Sequence, residues 1–159
     1  MEEHPLGEET LLAPYVPTPE AVVRRMLDLA DLRSGETLID LGCGDGRVAI
    51  AAARDFGARS FGVDLNNELV TYASVVASKL GVNACFIRGN LLCVDLSQAD
   101  VVTIYLGAEA NEVVRPKLEA ELRNGARVVT HDYPITGWLS DYSEDIVDGN
   151  THHAVFLYK

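Results

Sequence analysis

The segment that most constrains the fold has the sequence LIDLGCGDG and spans residues 38–46. An apolar run that contains Asp40 leads there into glycines at positions 42, 44 and 46. Glycine adopts backbone conformations that other residues avoid, and it lets the main chain approach a ligand closely. The run is typical of a buried strand, and the apolar residues after the glycines, up to Gly57, have helical spacing. The segment therefore predicts a strand, a tight binding loop and a helix in direct succession.

Strand-like and helix-like segments alternate along the rest of the chain. Strands are predicted over residues 37–41, 60–64, 84–88, 100–106 and 126–131, with a closing pair at 143–147 and 153–158 joined by a turn, Asp148-Gly149-Asn150. Helices are predicted from Thr18-Pro19-Glu20 to Ser34-Gly35, over 48–57, over 66–81, and over 109–123 with a bend or restart at Pro116. This alternation predicts one α/β domain, residues 1–159, with a doubly wound, mostly parallel seven-stranded sheet and an antiparallel edge strand.

Composition excludes several classes of protein. No apolar run approaches the roughly 18 residues of a transmembrane helix. The N-terminal sequence MEEHPLGEETLLAP lacks the basic and apolar regions of a secretory signal, so a cytoplasmic location is expected. Three cysteines, at positions 43, 85 and 93, form no CxxC pair and predict neither a disulfide framework nor a zinc site. The formal net charge of −11, from 24 acidic and 13 basic residues, repels nucleic-acid phosphates and attracts basic partners.

The position and chemistry of the glycine loop indicate what it binds. Ligands of an open α/β sheet sit at the carboxyl ends of its strands. The dinucleotide fingerprint GxGxxG would need glycine where Arg47 stands, and the carboxylate of Asp40 would repel a pyrophosphate. Asp64 ends the second strand, where such folds bind ribose hydroxyls. The site thus calls for a ligand with a ribose, a positive charge and no phosphate, and S-adenosyl-L-methionine has these features. A Rossmann dehydrogenase is the alternative, and it fits the sequence poorly. Asp40, Gly42, Gly44 and Asp64 are accordingly predicted to bind this cofactor.

The same residues resemble a known enzyme superfamily. DLGCGDG followed by GVD is similar to motif I and the next acidic strand end of class I, seven-strand S-adenosylmethionine-dependent methyltransferases. Gly89-Asn90, after the third strand, resembles the position that contacts the adenine edge in those enzymes. Asn90 is therefore a further predicted cofactor-binding residue, although Gly-Asn is also an ordinary turn pair.

A closer resemblance spans almost the whole chain. The segments PYVPTPEAVVRRML, NEVVRPKLEAEL, RVVTHDYPITGW and DGNTHHAVFLY resemble small archaeal protein-lysine methyltransferases, which lack a SET domain and are related to the ATP-synthase c-subunit lysine methyltransferases. The resemblance implies methylation of lysine ε-amines, often on several proteins. It also implies that residues 1–35 cover the cofactor site and that Tyr15 and Thr18 contact the methionine end of the cofactor. Without the resemblance, Tyr15 would be interpreted as core and Thr18 as a helix cap.

The candidate acceptor residues follow the fourth and fifth strands. Tyr105 is predicted to be catalytic, as part of an apolar channel for the lysine side chain, and a place in the core is its alternative. Three further residues have two open interpretations each, an acceptor contact or a structural role: His131, Asp132 and Trp138. The adjacent His152 and His153 are interpreted as structural or exposed, and no cluster predicts a metal site.

Lysine methylation requires alignment of the amine and loss of its proton. The reference pKa of lysine is about 10.4, so a desolvating channel that lowers it would help. The expected partners are proteins with exposed lysines, and the expected state is a monomer without nucleic acid or membrane. One alternative is a nucleic-acid or small-molecule N-methyltransferase; base-modifying ones often carry Asn/Asp-Pro-Pro-Tyr/Phe where this chain has Thr103-Ile104-Tyr105-Leu106. The other alternative is a catalytically silent subunit that binds the cofactor.

Overall fold

A seven-stranded sheet organises residues 14–159, the part of the chain that the computed structural model describes. Its strands are β1 (Thr37–Leu41), β2 (Arg59–Asp64), β3 (Ala84–Arg88), β4 (Val101–Ile104), β5 (Arg127–His131), β6 (Tyr142–Asp148) and β7 (Thr151–Tyr158). The α-helices within these residues are α1 (Glu20–Leu29), α2 (Arg47–Phe56), α3 (Asn67–Leu80) and α4 (Ala108–Glu121). A short 3₁₀ helix, Leu91–Cys93, follows β3.

The strand order is β3-β2-β1-β4-β5-β7-β6. The first five strands in this order run parallel, and β7 pairs in antiparallel fashion with both β5 and β6. The doubly wound, mostly parallel sheet predicted from the alternation of elements is thus confirmed. The closing hairpin, β6 and β7, forms one edge of the sheet by antiparallel pairing. The β7 strand lies next to β5, and β6 is the outermost strand. The order reverses between β1 and β4, and this switch point faces the loops that follow both strands.

Two apolar layers cover the faces of the sheet. One layer packs α1 and α2 against the sheet through side chains such as Val22, Met26 and Val48. The other contains Val114 and Leu118 of α4 together with residues of β1, β4 and β5. All five residues of β1 are buried, as expected of a central parallel strand. The carboxyl ends of β1 and β4 are therefore held rigidly from both sides.

Several local predictions differ from the structure. Thr18 does not cap α1: Pro19 occupies the cap position, and the side chain of Thr18 bonds elsewhere. The α4 helix runs uninterrupted through Pro116 and so does not restart there, while a bend at this residue stays a prediction. The β4 strand ends at Ile104, so Tyr105 lies just beyond it. Of the predicted N-terminal segment, residues 1–13 lie outside the described residues, and the prediction of one domain over 1–159 stays a prediction. Among residues 14–159, no helix is both long and apolar enough to cross a membrane.

Candidate active site

A cavity of about 340 Å³ opens at the carboxyl ends of β1, β2 and β4. Parallel strands bring their carboxyl ends to one edge of the sheet, so residues far apart in sequence meet there. Seven of the eight site residues predicted from the sequence line this cavity: Tyr15, Thr18, Asp40, Gly42, Gly44, Asp64 and Tyr105. Their individual roles stay predictions, but the structure brings them to one place.

The glycine loop is fastened to the end of β2. The backbone N–H groups of Gly42 and Cys43 both donate to the carbonyl of Val63, each at 2.9 Å. The next amide, that of Gly44, donates to Oδ2 of Asp64 at 2.8 Å, while Oδ1 of Asp64 accepts from the N–H of Asn66 at 2.9 Å. A carboxylate has about four lone-pair sites, so Asp64 retains acceptor capacity for ribose hydroxyls. Its carboxylate shapes the loop and faces the cavity at the same time.

Asp40 carries a carboxyl group into the floor of the cavity. It lies inside β1, is 6% exposed and accepts a hydrogen bond from the Thr103 hydroxyl at 2.8 Å. Burial, together with the negative charges of Asp64 and Asp45, raises the pKa of Asp40 to about 8, although the hydrogen bond from Thr103 partly opposes this increase. Among the described residues that line the cavity, the single cation is Arg47, which pairs with Asp45 at 2.6 Å. The cavity thus has a surplus of negative charge and favours a cationic ligand.

The segment before α1 folds across the glycine loop. The Tyr15 hydroxyl donates to Oδ2 of Asp45 at 3.1 Å, and Nη1 of Arg47 donates to the carbonyl of Thr18 at 3.1 Å. Sequence reasoning missed Asp45 and Arg47, although both directly continue the glycine motif as Asp-Gly-Arg. Their side chains tie residues 14–18 over the mouth of the cavity.

Asn90 is the predicted site residue that the structure places apart from the cavity wall. Its neighbours Gly89 and Leu91 line the cavity, but Asn90 itself does not. Its Oδ1 accepts from the N–H of Leu92 at 2.7 Å and so caps the short 3₁₀ helix. The turn role that the Gly-Asn pair allowed is therefore present, and contact with an adenine edge stays a prediction.

Tyr105 lines the side of the cavity that faces β5. Its ring lies 3.8 Å, centroid to centroid, from the ring of the fully buried His131, and Tyr133 stacks at 6.3 Å. Burial raises the pKa of Tyr105, and the charge of Asp132 raises it further, so its hydroxyl keeps its proton near neutral pH. Trp138 instead packs edge-on against Tyr158 and donates to Glu119 at 2.8 Å, which supports its packing role.

Comparisons with known proteins identify the family. The family described as the ANTKMT methyltransferase domain matches residues 40–142. A protein-lysine N-methyltransferase of Saccharolobus islandicus (strain REY15A) is 47% identical over 148 residues, which cover 91% of this chain and 92% of that protein. The chain belongs to this methyltransferase family. The adenine nucleotide translocase lysine N-methyltransferase of Mus musculus is 35% identical over 130 residues, which cover 80% of this chain and 56% of that protein.

A solved structure agrees with this assignment. The RNA methyltransferase of Salinibacter ruber, in complex with S-adenosyl-L-homocysteine, superposes with a TM-score of 0.83 at 40% identity and covers 90% of this chain and 92% of that one. The predictions of the family, of the Rossmann-like methyltransferase fold, and of S-adenosylmethionine as the cofactor of an enzyme are confirmed.

Affinity for S-adenosylmethionine should rise with pH below the pKa of Asp40. If the cationic cofactor needs this carboxylate ionised, affinity should rise about tenfold between pH 6 and pH 7, since the folded pKa is about 8. In the Asp40→Asn variant the affinity should be weaker and independent of pH over this range. Isothermal titration calorimetry checks both, and a parent affinity that is constant from pH 6 to 8 would remove Asp40 from the binding equilibrium.

The same group makes the ligand-free protein less stable at higher pH. Its pKa is about 8 in the folded protein and near 4 in the unfolded chain, so the folded state binds the proton more tightly. The stability from Asp40 is therefore fully present below about pH 4 and is lost as pH rises through 8. Denaturant unfolding measures the free energy of unfolding of the parent and of Asp40→Asn at pH 6 and at pH 8. This free energy should decrease less from pH 6 to pH 8 in the variant than in the parent.

Proposed function

We propose that this protein transfers methyl groups from S-adenosylmethionine to lysine ε-amines of other proteins. The observation that carries the choice of lysine is the 47% identity, over nine tenths of both chains, to a protein named as a protein-lysine N-methyltransferase. The cavity supports the choice of cofactor because it combines a carboxylate with free acceptor capacity, Asp64, and a buried carboxyl group that favours a cation, Asp40.

The residues of the cavity fit the cofactor part by part. Asp64 would accept the ribose hydroxyls, and the backbone of Gly42 and Gly44 would pack closely against the ligand. Asp40 would face the positively charged methionine portion, under the cover formed by residues 14–18. When bound, S-adenosylmethionine supplies a methyl group activated by a positively charged sulfur, so the protein needs to align the acceptor rather than activate the donor.

The acceptor side of the site is built around Tyr105. Its ring forms an apolar wall, and His131 packs behind that wall. A lysine stem that passes along the wall would leave water, and the loss of hydration lowers the pKa of its ammonium group. The chain thus provides orientation and desolvation, and the amine becomes nucleophilic once it has lost one proton.

Incubation with labelled S-adenosylmethionine tests the proposal. The purified protein, with an extract of basic proteins, should yield label on lysine side chains, mapped by mass spectrometry. Asp64→Ala should lose the label, because it removes the ribose acceptor. Binding of the cofactor without transfer to any protein would indicate a cofactor-binding subunit instead. Label on RNA, or on arginine or glutamine, would contradict the choice of lysine.

RNA is the alternative acceptor that one comparison suggests, because the protein from Salinibacter ruber is named an RNA methyltransferase. The charge of this chain favours protein over RNA. With 24 acidic against 13 basic residues, its field repels a phosphate backbone and attracts lysine-rich segments. A monomer located in the cytoplasm stays a prediction.

Methylation of basic proteins should become slower as salt concentration rises. If the net charge of −11 recruits the acceptor, raising ionic strength from about 0.05 M to 0.5 M shortens the screening length and weakens that attraction. The expected result is a severalfold lower kcat/KM with unchanged kcat. A short neutral peptide that contains one lysine is the control, since its turnover should not respond to salt. Equal salt dependence of both substrates would mean that charge does not recruit the protein acceptor.

A further inference from the structure

A continuous chain of hydrogen bonds runs from the cavity wall to the surface. Oγ1 of Thr18, which is 5% exposed and lines the cavity, lies 3.1 Å from Nδ1 of His131. Nε2 of His131 lies 2.9 Å from Nδ1 of His153, and Nε2 of His153 lies 3.1 Å from Oγ1 of the exposed Thr151. The Thr151 hydroxyl donates to the carbonyl of Asp148 at 2.8 Å. Both imidazole rings therefore use both of their nitrogens.

The outermost bond fixes Nε2 of His153 as a hydrogen-bond donor. Because the Thr151 hydroxyl donates to Asp148, its oxygen accepts from Nε2–H of His153. When Nδ1 of His153 is the acceptor of the bond between the two rings, His131 donates from Nε2–H and accepts from the Thr18 hydroxyl at Nδ1. Burial lowers the pKa of His131 to about 4, which keeps this ring neutral at pH 7. Every donor in the chain thus points outward, away from the cavity.

Other polar groups surround the central ring of this chain. Oδ2 of Asp132 lies 3.6 Å from Nε2 of His131, and Oδ1 of Asp132 accepts from the N–H of Ala154 at 3.0 Å. The Tyr105 ring covers one side of His131, with Tyr133 stacked beyond it, and the guanidinium of Arg47 bonds the carbonyl of Thr18. Asp132 is the negative charge closest to the ring, and it stabilises a transient imidazolium.

We propose that Thr18, His131, His153 and Thr151 form a relay that removes the proton of the acceptor amine from the closed site to solvent. The inference rests on the proposed function, since methylation of a lysine that arrives as an ammonium releases one proton per methyl group. The amine proton passes to Oγ1 of Thr18 as the Thr18 hydroxyl proton moves to Nδ1 of His131. The Nε2 proton of His131 moves to Nδ1 of His153, and the Nε2 proton of His153 moves to Oγ1 of Thr151. The exposed Thr151 hydroxyl releases its own proton to water after it turns away from the carbonyl of Asp148.

The step is balanced, because one proton enters the relay from the amine and one proton leaves it to water. No group is oxidised or reduced, and the amine keeps the lone pair that forms the new bond to the methyl carbon. A relay of this kind allows the site to exclude water around the methyl group while it still delivers the proton to solvent. It also explains why a buried histidine is bonded on both sides rather than packed among apolar residues.

A metal ion is the other use that this cluster suggests, since ligand atoms of His131, Asp132 and His153 lie within 4.8 Å of one another. The bond between the two rings argues against it. Nε2 of His131 and Nδ1 of His153 face each other at hydrogen-bond distance, so they do not converge on a third point. Both nitrogens would have to turn to ligate one ion.

The variant His153→Gln tests the relay, with His152→Gln as its matched control. His152 precedes His153 on β7, but it is exposed and outside the hydrogen-bonded chain. His153→Gln should lower kcat/KM for a lysine peptide about 100-fold at pH 7, within the usual range for positioned acid–base groups. The rate of the variant should keep rising with pH toward the free-lysine value near 10.4, because only peptide that arrives neutral can react. The rate of the parent should level off at lower pH.

Two further measurements separate a relay from a structural role. Thr18→Val keeps the side-chain shape but removes the first group of the relay, and it should show the same pH profile as His153→Gln. Added imidazole should restore activity to His153→Ala and leave the activity of the parent unchanged, while cofactor affinity stays unchanged in the His153 variants. Profiles identical to the parent's would overturn the relay, as would loss of parent activity on treatment with EDTA. A parent that methylates no lysine would instead overturn the proposed function.

Discussion

Replacing Gly44 by valine should reduce the affinity for S-adenosylmethionine by more than about 100-fold, or nearly 3 kcal/mol. A Cβ atom at this position would lie 2.9 Å from Cε1 and 3.1 Å from Cδ1 of Tyr15, which covers the loop from outside. The backbone φ of Gly44 is +54°, a conformation that a β-branched residue adopts at a cost of about 1–2 kcal/mol. The added methyl groups would also occupy space along the wall of the cavity. Isothermal titration calorimetry measures the affinity directly.

The control for this prediction is Gly81→Val. Gly81 ends α3 with a φ of +68°, and a Cβ atom there would meet no atom within 4 Å. Both variants thus introduce similar backbone strain, but only Gly44 lies at the cavity. Gly81→Val should unfold at a lower temperature and bind the cofactor like the parent. If Gly44→Val also bound like the parent, the glycine loop would not be part of the cofactor site.

Local patterns in the sequence were sufficient to predict the central unit of the site. The run TLIDL forms β1 with all five residues buried, and the helix expected after the glycines begins at Arg47. Asp40 stands directly before the glycine loop, and its carboxylate argues against a pyrophosphate ligand and for a cationic one, which identifies it as a candidate site residue. The carboxyl ends of parallel strands then converge by topology alone, so Asp64 and Tyr105 were placed correctly at the edge of the sheet.

Contacts that depend on strand register could not be predicted in this way. Thr18 has the sequence context of a helix cap, yet its hydroxyl bonds His131, 113 residues away. His131 meets His153 because β7 inserts between β5 and β6 and pairs His131 with Val155. A shift of one residue would turn His153 to the opposite face, where His152 now lies. Nothing in the sequence around His152 or His153 indicates which of the two histidines faces His131.

The second large effect should come from Tyr105→Ala, which is expected to lower kcat about 100-fold while cofactor affinity changes little. The ring forms the wall of the cavity along which the lysine stem would pass. Its removal admits water and leaves the amine free to move, and a small misplacement of reacting groups costs about this factor. The ring also covers His131, so the variant exposes the relay to solvent. Single-turnover kinetics with saturating cofactor separate this effect from binding.

Tyr105→Phe isolates the hydroxyl, and Tyr72→Ala is the control for loss of an aromatic side chain. Phenylalanine keeps the apolar wall. The kcat of this variant should therefore fall about tenfold, equivalent to roughly 1.4 kcal/mol, only if the hydroxyl holds the amine or a water molecule. Tyr72 lies exposed on α3 and outside the cavity, so Tyr72→Ala should turn over like the parent. Because burial and Asp132 raise the pKa of Tyr105, the hydroxyl remains a donor at neutral pH and cannot serve as the base. If Tyr105→Ala stays folded and keeps the turnover of the parent, the ring belongs to the core and the amine must be aligned by other residues.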